Sequence, residues 1–509
     1  MFKRVLVTGG AGFIGQHVCR HFLSLGAEVM SFDCLLPQVH GASPDGRTSW
    51  PLAQIDVPGL TNRFGDCSDP MAFANALFAF TPDLVVHLAA KVGVGQSAYE
   101  IAPYVSKNVT GTAVVVDLAV RYNEGHRDNP RKLVELQGEI EAERRSLAHW
   151  KAEIEALVLR PADEIRFLDA NPENQQTVAE YLETEAIPMR DRAQYRINEM
   201  TANAEQLAAM TPPHPIASVI VAGSMSSYGE GAYHNATGTI RGGDRYPKAM
   251  ARGFFDIFHG AKPVGIPETE PLEPASVYAW TKAAAEEIAL QVHRVRGLDV
   301  RVARFFNVFG PGQSLTNPYT GICAIFSARC MVGFQPVVYE DGGQLRDFVH
   351  VGDVARAIAT IAEQGEAGGA YNVGTGNPRS VLDVARAIGA EFNIEPLIPV
   401  PAIWRVGDVR HCFADATKLR DLGWSPQVSF EQGIHDLIAW VRESASETEI
   451  RAIAGRAEVE LAERGLLRAT TVTAAATTAA AEAFDEAAKA LNELNVVLAD
   501  APSDERGEA

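Results

Sequence analysis

The sequence predicts an α/β protein built on a doubly wound parallel sheet, with a smaller mixed α/β lobe, an inserted helical hairpin and a partly helical or disordered C-terminal tail. Three observations carry that expectation. The apolar run Val5-Leu6-Val7 passes directly into Thr8-Gly9-Gly10-Ala11-Gly12-Phe13-Ile14-Gly15 and then into a segment with apolar residues at Val18, Phe22 and Leu23, which reads as strand, glycine turn and helix. A second apolar run, from Ala27 to Phe32, ends on Asp33. Strand and helix patterns then alternate through the first third of the chain, as the crossovers of a parallel sheet require.

Taken in order, the first four strands fall at Val5-Leu6-Val7, Val29-Met30-Ser31-Phe32, Phe64-Gly65-Asp66 and Leu84-Val85-Val86-His87. A strand that turns through glycines into a helix leaves backbone N–H groups and a positive helix end facing outward, where a pyrophosphate can sit. Both the G-x-G-x-x-G and the G-x-x-G-x-x-G spacings are met, so Gly9, Gly12, Phe13, Ile14 and Gly15 are candidate dinucleotide-binding residues of a Rossmann-type sheet. Asp33 can accept from both ribose hydroxyls and would repel a 2′-phosphate, which points to NAD rather than NADP. Asp66 is placed to accept from the adenine amino group, although an ordinary turn aspartate reads equally well. Small residues after the fourth strand, Leu88-Ala89-Ala90, permit close approach to the cofactor, and Asn108 is grouped with them. His87 reads as structural.

A long helix begins near Asn108 and keeps its apolar face through Val114, Val115, Leu118 and Val120. Residues 123–215 then form a charged segment where such a sheet would have a short loop. Leu133, Leu136, Ile140, Leu147, Trp150, Ile154 and Leu157 make one a/d seam, interrupted near Glu143; Ala193, Ile197, Met200, Ala204 and Leu207 repeat the spacing. Two helices joined by a loop around Pro161 and Pro172 are expected to pack as an antiparallel hairpin. The sheet resumes at Ser218-Val219-Ile220-Val221, a helix starts near Tyr278, and Val300-Arg301-Val302-Ala303 is a further strand. The domain boundaries read as 1–122 with 216–306 for the nucleotide domain, 123–215 for the hairpin, 307–445 for the second lobe and 446–509 for an Ala-rich acidic tail.

The 509 residues are 47% apolar and carry a net charge of −19, which argues against nucleic acid or an anionic membrane surface as partner. Thirteen acids against six bases in 447–509 account for part of that excess. There is no run of eighteen apolar residues, and Met1-Phe2-Lys3-Arg4 leads straight into a strand, so a cytoplasmic protein is expected. The six cysteines show no C-x-x-C spacing and read as reduced thiols, with no metal site.

Tyr278-Ala279-Trp280-Thr281-Lys282 places a phenol and an ammonium four apart on one helix face. A free tyrosine, with a pKa of about 10, is a poor base at neutral pH. A nearby cation favours the phenolate, and Ser224 at a strand end can hold the oxygen that the phenolate deprotonates. Ser224, Tyr278 and Lys282 are therefore the candidate catalytic set, the last two also touching the cofactor.

Thr8-Gly9-x-x-Gly12-x-x-Gly15, Ser224 four before Tyr228-Gly229, and Tyr278-x-x-x-Lys282 resemble the extended short-chain dehydrogenase/reductase family, in its NAD-dependent nucleotide-sugar epimerase/dehydratase branch. The resemblance covers roughly 1–122 and 216–445. Closer wording, in Leu36-Pro37-Gln38-Val39-His40-Gly41, Val92-Gly93-Val94-Gly95-Gln96-Ser97, Ser224 to Gly231 and Asn317-Pro318-Tyr319-Thr320-Gly321, is similar to the members that epimerise dTDP-L-rhamnose. It implies a sugar nucleotide lying across the second lobe, with Gln96, Ser97, Ser226, Asn307, Asn317, Arg346 and Arg410 as substrate-binding residues. It also implies a homodimer formed through the helix near Asn108 and the helix bearing Tyr278. The insertion and the tail are departures from the pattern.

Dehydratases of the branch carry an Asp-Glu pair directly after the hydroxyl residue, where this chain has Met225 and Ser226; decarboxylases carry a glutamate where Ser226 stands. Epimerisation at C4 needs neither group, so NAD-dependent 4-epimerisation of a dTDP-L-rhamnose-like or UDP-hexose substrate is the expected reaction. A 4,6-dehydratase, a decarboxylase or a catalytically idle NAD-binding scaffold remain the alternatives.

Overall fold

Strand β1 (Arg4–Thr8) pairs on one side with β2 (Glu28–Asp33) and on the other with β4 (Leu84–His87). β3 (Leu60–Phe64) lies outside β2, while β5 (Ser218–Ser224), β6 (Val300–Phe305) and β7 (Ala370–Val373) follow outward from β4. All six pairings are parallel. The computed structural model describes residues 2–40, 58–160, 165–167, 175–236, 238–243, 245–258, 260–315, 321–395, 403–444 and 463–469. Because the chain runs outward from β1 to β3 and then returns to β4, the strand order reverses beside β1, and a crevice opens at the carboxyl ends of β1 and β4.

The inner strands β1, β4 and β5 are nearly continuous apolar runs because helices cover them, whereas β3 at the edge is polar and exposed. Val18 and Phe22 of α1 (Phe13–Ser24) and Val354, Ile358 and Ile361 of α7 (Val351–Gln364) share one core with Val5, Val29, Val86, Ile220 and Val373. At about 1.5–3 kcal/mol per buried aliphatic side chain, this layer is a main source of stability. Helix α2 (Pro70–Phe80) starts where Asp69 accepts the N–H groups of Met71 (2.9 Å) and Ala72 (3.3 Å), with Pro70 at the first helical position.

The expected third strand is displaced. It spans Leu60–Phe64, and the Asp33↔Phe64 pair closes its register. Asp66 cannot extend it, because its carboxylate turns the chain by accepting the N–H (2.9 Å) and hydroxyl (2.7 Å) of Ser68.

Helix α3 (Gly111–Val158) also departs from expectation: the helix that opens beyond Asn108 continues without a break, through Pro130, into the first arm of the hairpin. A wider turn, Val105–Thr110, precedes it. The chain divides into two compact units, Met1–Ala119 with Ile216–Ala509, and Val120–Pro215. In the second unit α4 (Ile187–Ala209) runs antiparallel to α3, because His126 meets Pro212, Glu143 meets Arg196, and Leu147 packs with Ala193 and Ile197. The interruption of the seam at Glu143 is therefore an ion pair set into the apolar row. Leu157, Val178, Tyr181 and Ala186 form a second cluster near the tip. The loop around Pro161 and Pro172 lies outside the described residues.

Beyond β6, in the first unit, Phe309, Phe326, Phe348, Val384, Phe430, Ile434 and Leu437 make a separate core. It joins α6 (Ile322–Met331), α8 (Val381–Glu391) and α9 (Phe430–Ser444) to the short strands Asn307–Phe309 and Leu345–His350. Among the described residues, no helix is long and apolar enough to cross a membrane.

Candidate active site

A cavity of about 620 Å³ runs through the first unit from the carboxyl ends of β1 and β2 to the second core. At its first end lie Gly9, Gly12, Phe13, Ile14, Gly15, Asp33 and Asp66. Gly9 has φ +69°, and a Cβ there would come within 2.7 Å of the Ala89 nitrogen. A Cβ on Gly15 would fall 2.0 Å from the Gly9 oxygen, so this glycine lets α1 approach the turn. Gly12 differs: a Cβ there meets only the Gly9 oxygen, at 3.2 Å, and no side chain caps the helix that Gly12 opens. The first N–H groups of α1 thus face the cavity with no acid in the first turn, a setting suited to a pyrophosphate. Asp33, 8% exposed, accepts the N–H groups of Ala11 (3.1 Å) and Leu35 (2.8 Å) and still lines the cavity. These residues fit a dinucleotide.

Asp66 is held on two sides. Burial raises its carboxyl, but Lys107 and the two Ser68 donors outweigh it and keep the group below the ordinary value.

The loop after β4 is fixed by a relay of hydrogen bonds. Thr112 gives its hydroxyl proton to the Asn108 carbonyl (2.7 Å), so it must accept from His87 Nε2 (3.0 Å). Nδ1 of His87 then accepts from the Thr8 hydroxyl (2.7 Å), whose oxygen accepts the Ala89 N–H (3.3 Å). Burial first, and Lys282 second, push the His87 pKa down to about 3, which keeps the ring neutral for this role. Leu88, Ala89 and Ala90 reach the cavity as expected. Asn108 does not: its amide accepts from Lys91 N–H (2.7 Å) and donates to the Lys91 carbonyl (3.0 Å) and the Thr281 hydroxyl (3.0 Å), so it ties this loop to the Tyr278 helix.

That helix, α5 (Val277–Arg296), begins at Ser276, whose hydroxyl accepts from Ala279 N–H (3.1 Å), and it ends at Gly297 in the left-handed conformation. Ser97 accepts the Tyr278 N–H (3.0 Å), which completes the cap. Ser224, at the end of β5, Tyr278 and Lys282 all line the middle of the cavity. Burial raises the Tyr278 phenol above its ordinary value, a rise that the neighbouring Ser224 hydroxyl only partly offsets. Burial lowers the lysine to about 8, and its electrostatic partner is Glu286, one turn further along and ion-paired with Arg304 (2.5 Å). Ser224, Tyr278 and Lys282, expected from the sequence to act together, thus line one stretch of the cavity.

At the far end the expected substrate residues separate. Ser226, Asn307 and Arg346 line the cavity. The Arg346 guanidinium is anchored on the carbonyls of Leu345 (2.9 Å), Arg410 (3.0 Å) and Val409 (2.6 Å). Its strand is fixed by fully buried Asp347, which accepts from Thr375, Gly376 and Ala414. Arg410, Gln96 and Ser97 do not line the cavity. Arg410 is 3% exposed and spends its guanidinium on Asp256 (2.7 Å), Glu340 (3.2 Å) and Asp341 (2.6 and 2.8 Å). Gln96 donates to Glu100 (3.0 Å) and accepts from Tyr104 (3.1 Å). Asn317 lies outside the described residues.

Sequence reasoning missed Arg329, Tyr339 and Arg405, which do line the cavity. Arg405 carried one legible signal. It opens Arg405-Val406-Gly407-Asp408, where Gly407 at φ +80° turns the chain so that Arg405 meets Asp408 at 2.6 Å.

Comparison with known proteins agrees with this geometry. The profile described as "NAD dependent epimerase/dehydratase family" matches residues 5–135, and that described as "GDP-mannose 4,6 dehydratase" matches 257–437. A dTDP-L-rhamnose 4-epimerase of Burkholderia thailandensis is 30% identical over 447 residues, spanning 86% of this chain and 95% of its own. A dTDP-glucose 4,6-dehydratase of Streptomyces niveus is 34% identical over 37% of this chain and 56% of its own. Among solved structures, the Thermus thermophilus UDP-glucose 4-epimerase complex with NAD covers 87% of this chain and all of its own, with a TM-score of 0.53 and 22% identity. The Streptomyces venezuelae dTDP-glucose 4,6-dehydratase with NAD bound covers 87% and 97%, with a TM-score of 0.55 and 23% identity. The chain belongs to the NAD-dependent epimerase/dehydratase family of nucleotide-sugar enzymes, and its cofactor is NAD.

Proposed function

We propose that this protein interconverts the C4 epimers of a nucleotide-diphosphate sugar, of the dTDP-L-rhamnose or UDP-hexose kind, through a transient 4-keto sugar. The observation that carries the reading is that Ser224, Tyr278 and Lys282 line the middle of one cavity with no carboxylate beside them among the described residues. The acids that line the cavity are Asp33 and Asp66 at the dinucleotide end and Asp408, already paired with Arg405, at the other. Loss of water from C5 and C6 takes a further acid and base, and Met225 and Ser226 supply neither.

In this reading Ser224 holds the 4-hydroxyl and the Tyr278 oxygen takes its proton, assisted by Lys282. NAD, when bound, supplies the acceptor for the hydrogen leaving C4 and returns it. Tyr278 then gives the proton back after the 4-keto sugar has turned in its pocket. Arg346 and Arg405 are suited to the diphosphate, since a guanidinium fork can donate two hydrogen bonds to phosphate oxygens. The similarity to the Burkholderia 4-epimerase supports the same reading. We read the protein as a homodimer through α5, on which Trp280 is half exposed.

Tyr278→Phe removes only the proton-transfer oxygen. It is expected to keep the fold and bound NAD while lowering turnover by about 1,000-fold. Activity within tenfold of the parent would overturn the assigned base.

A further inference from the structure

The described piece of the tail, residues 463–469, is attached to the cavity wall. Leu467–Ala469 pairs antiparallel with Ile403–Arg405, placing Leu467 opposite Arg405 and Arg468 opposite Trp404. Val406 N–H continues the ladder to the Leu466 carbonyl (3.0 Å). The strand that receives this addition carries Arg405, whose Nε is buried without a hydrogen-bond partner among the described residues. At its other end the segment crosses to a different element: the Arg464 guanidinium sits 3.7 Å from the centre of the Tyr99 ring. Tyr99 lies just past the turn Val94–Ser97, whose Val94 and Gly95 line the cavity and whose Ser97 holds the Tyr278 amide.

We propose that residues 463–469 are a positioning strap for the substrate end of the site. The strand addition fixes Arg405 by backbone hydrogen bonds, and the Arg464–Tyr99 stack ties that wall to the turn behind Tyr278. The strap acts on the nucleoside diphosphate part of the ligand, through Arg405, and leaves the dinucleotide end untouched. Cation–π contact and strand pairing are each individually modest, so the strap strengthens binding without being required for folding. The inference rests on the nucleotide-sugar reading of the cavity.

The test uses the full chain, loaded with NAD, and titrates dTDP and UDP by calorimetry alongside turnover. Arg468→Pro removes a ladder N–H and disfavours the added strand, Arg464→Ala removes the stacked cation, and Arg464→Lys restores one. In Arg468→Pro and Arg464→Ala the nucleoside diphosphate is expected to bind several-fold to tenfold more weakly. KM should rise in proportion, with kcat within twofold and NAD content unchanged, and Arg464→Lys should recover most of the loss. Unchanged nucleotide affinity in both disrupting variants would overturn the strap. A fall in kcat or NAD content equal to the fall in affinity would also overturn it, since it would reveal a general structural role. If the parent protein binds neither dTDP nor UDP, the nucleotide-sugar reading itself fails, and that result is distinct from a parent that binds while its variants match it.

Discussion

Lys282 gives the site a pH signature. Burial lowers its pKa from 10.5 to about 8, so below pH 8 the folded protein holds an ammonium in a site that disfavours charge, a cost on the order of 3 kcal/mol. Between pH 8 and 10.5 the unfolded chain binds this proton and the folded one does not, so this residue's contribution to stability rises with pH across that window. Lys282→Met removes the cost. NAD-stripped Lys282→Met is therefore expected to melt a few degrees above the parent at pH 7, with the gap closing by pH 10.5. Equal melting points at pH 7, or a gap that does not change with pH, would contradict this account of Lys282. Asp33 gives a second test at this scale. Asp33→Ala should weaken NAD by about tenfold, the order expected when a charged hydrogen bond to ribose is lost, and leave NADP nearly unchanged. Competitive binding of the two cofactors reads the ratio directly, and a parent that binds both equally would refute the role. Single residues were legible in sequence where one side chain meets one demand, as with Gly9, Gly15 and Tyr278. Arg410 misled because an arginine's partners are set by distant segments: Asp256 and Glu340 hold it, and neither is near it in sequence.

Among elements, patterns of local origin came through and those of tertiary origin did not. The glycine turn, Ser276 before α5 and the strand Leu84–His87 follow from adjacent residues. The displaced third strand does not, because Phe64 is 66% exposed and its pairing with Asp33 comes from the sheet rather than from periodicity. The helix near Asn108 was expected to give way to a separate charged segment from 123 on, yet α3 continues through Pro130 to Val158. Proline removes one amide, and a helix this long tolerates that loss when its apolar row has a partner, as Leu147 has in Ala193 and Ile197. The arms close on themselves, with His126 2.9 Å from the Pro212 carbonyl, so a short linker can join their bases. Replacing 126–212 with a Gly-Ser linker is expected to leave turnover within about threefold of the parent, the hairpin bearing on assembly rather than chemistry. Turnover and solution mass measured on one sample check this. A folded, NAD-loaded protein without turnover would place the hairpin in the active site, and an unchanged dimer with normal turnover would remove the assembly role.

The first unit is organised on a seven-stranded parallel sheet whose strand order reverses beside β1, and a dinucleotide turn, a Ser–Tyr–Lys set and a pair of arginines line a single cavity there. Its class was visible in the sequence because βαβ units impose local periodicity at every step. The pairing of Arg405 with the tail strand was not, since residues 406–466 separate the two strands and no short-range pattern connects them. The central claim is that this cavity inverts C4 and eliminates nothing. Its most direct test is to incubate the NAD-loaded protein in deuterated water with dTDP-L-rhamnose or UDP-glucose and identify the product by NMR and mass spectrometry. The account requires a C4 epimer with no deuterium bound to carbon and, once its hydroxyls are exchanged back into ordinary water, an unchanged mass. A product that has lost water, or one that has gained deuterium at C5, would contradict it.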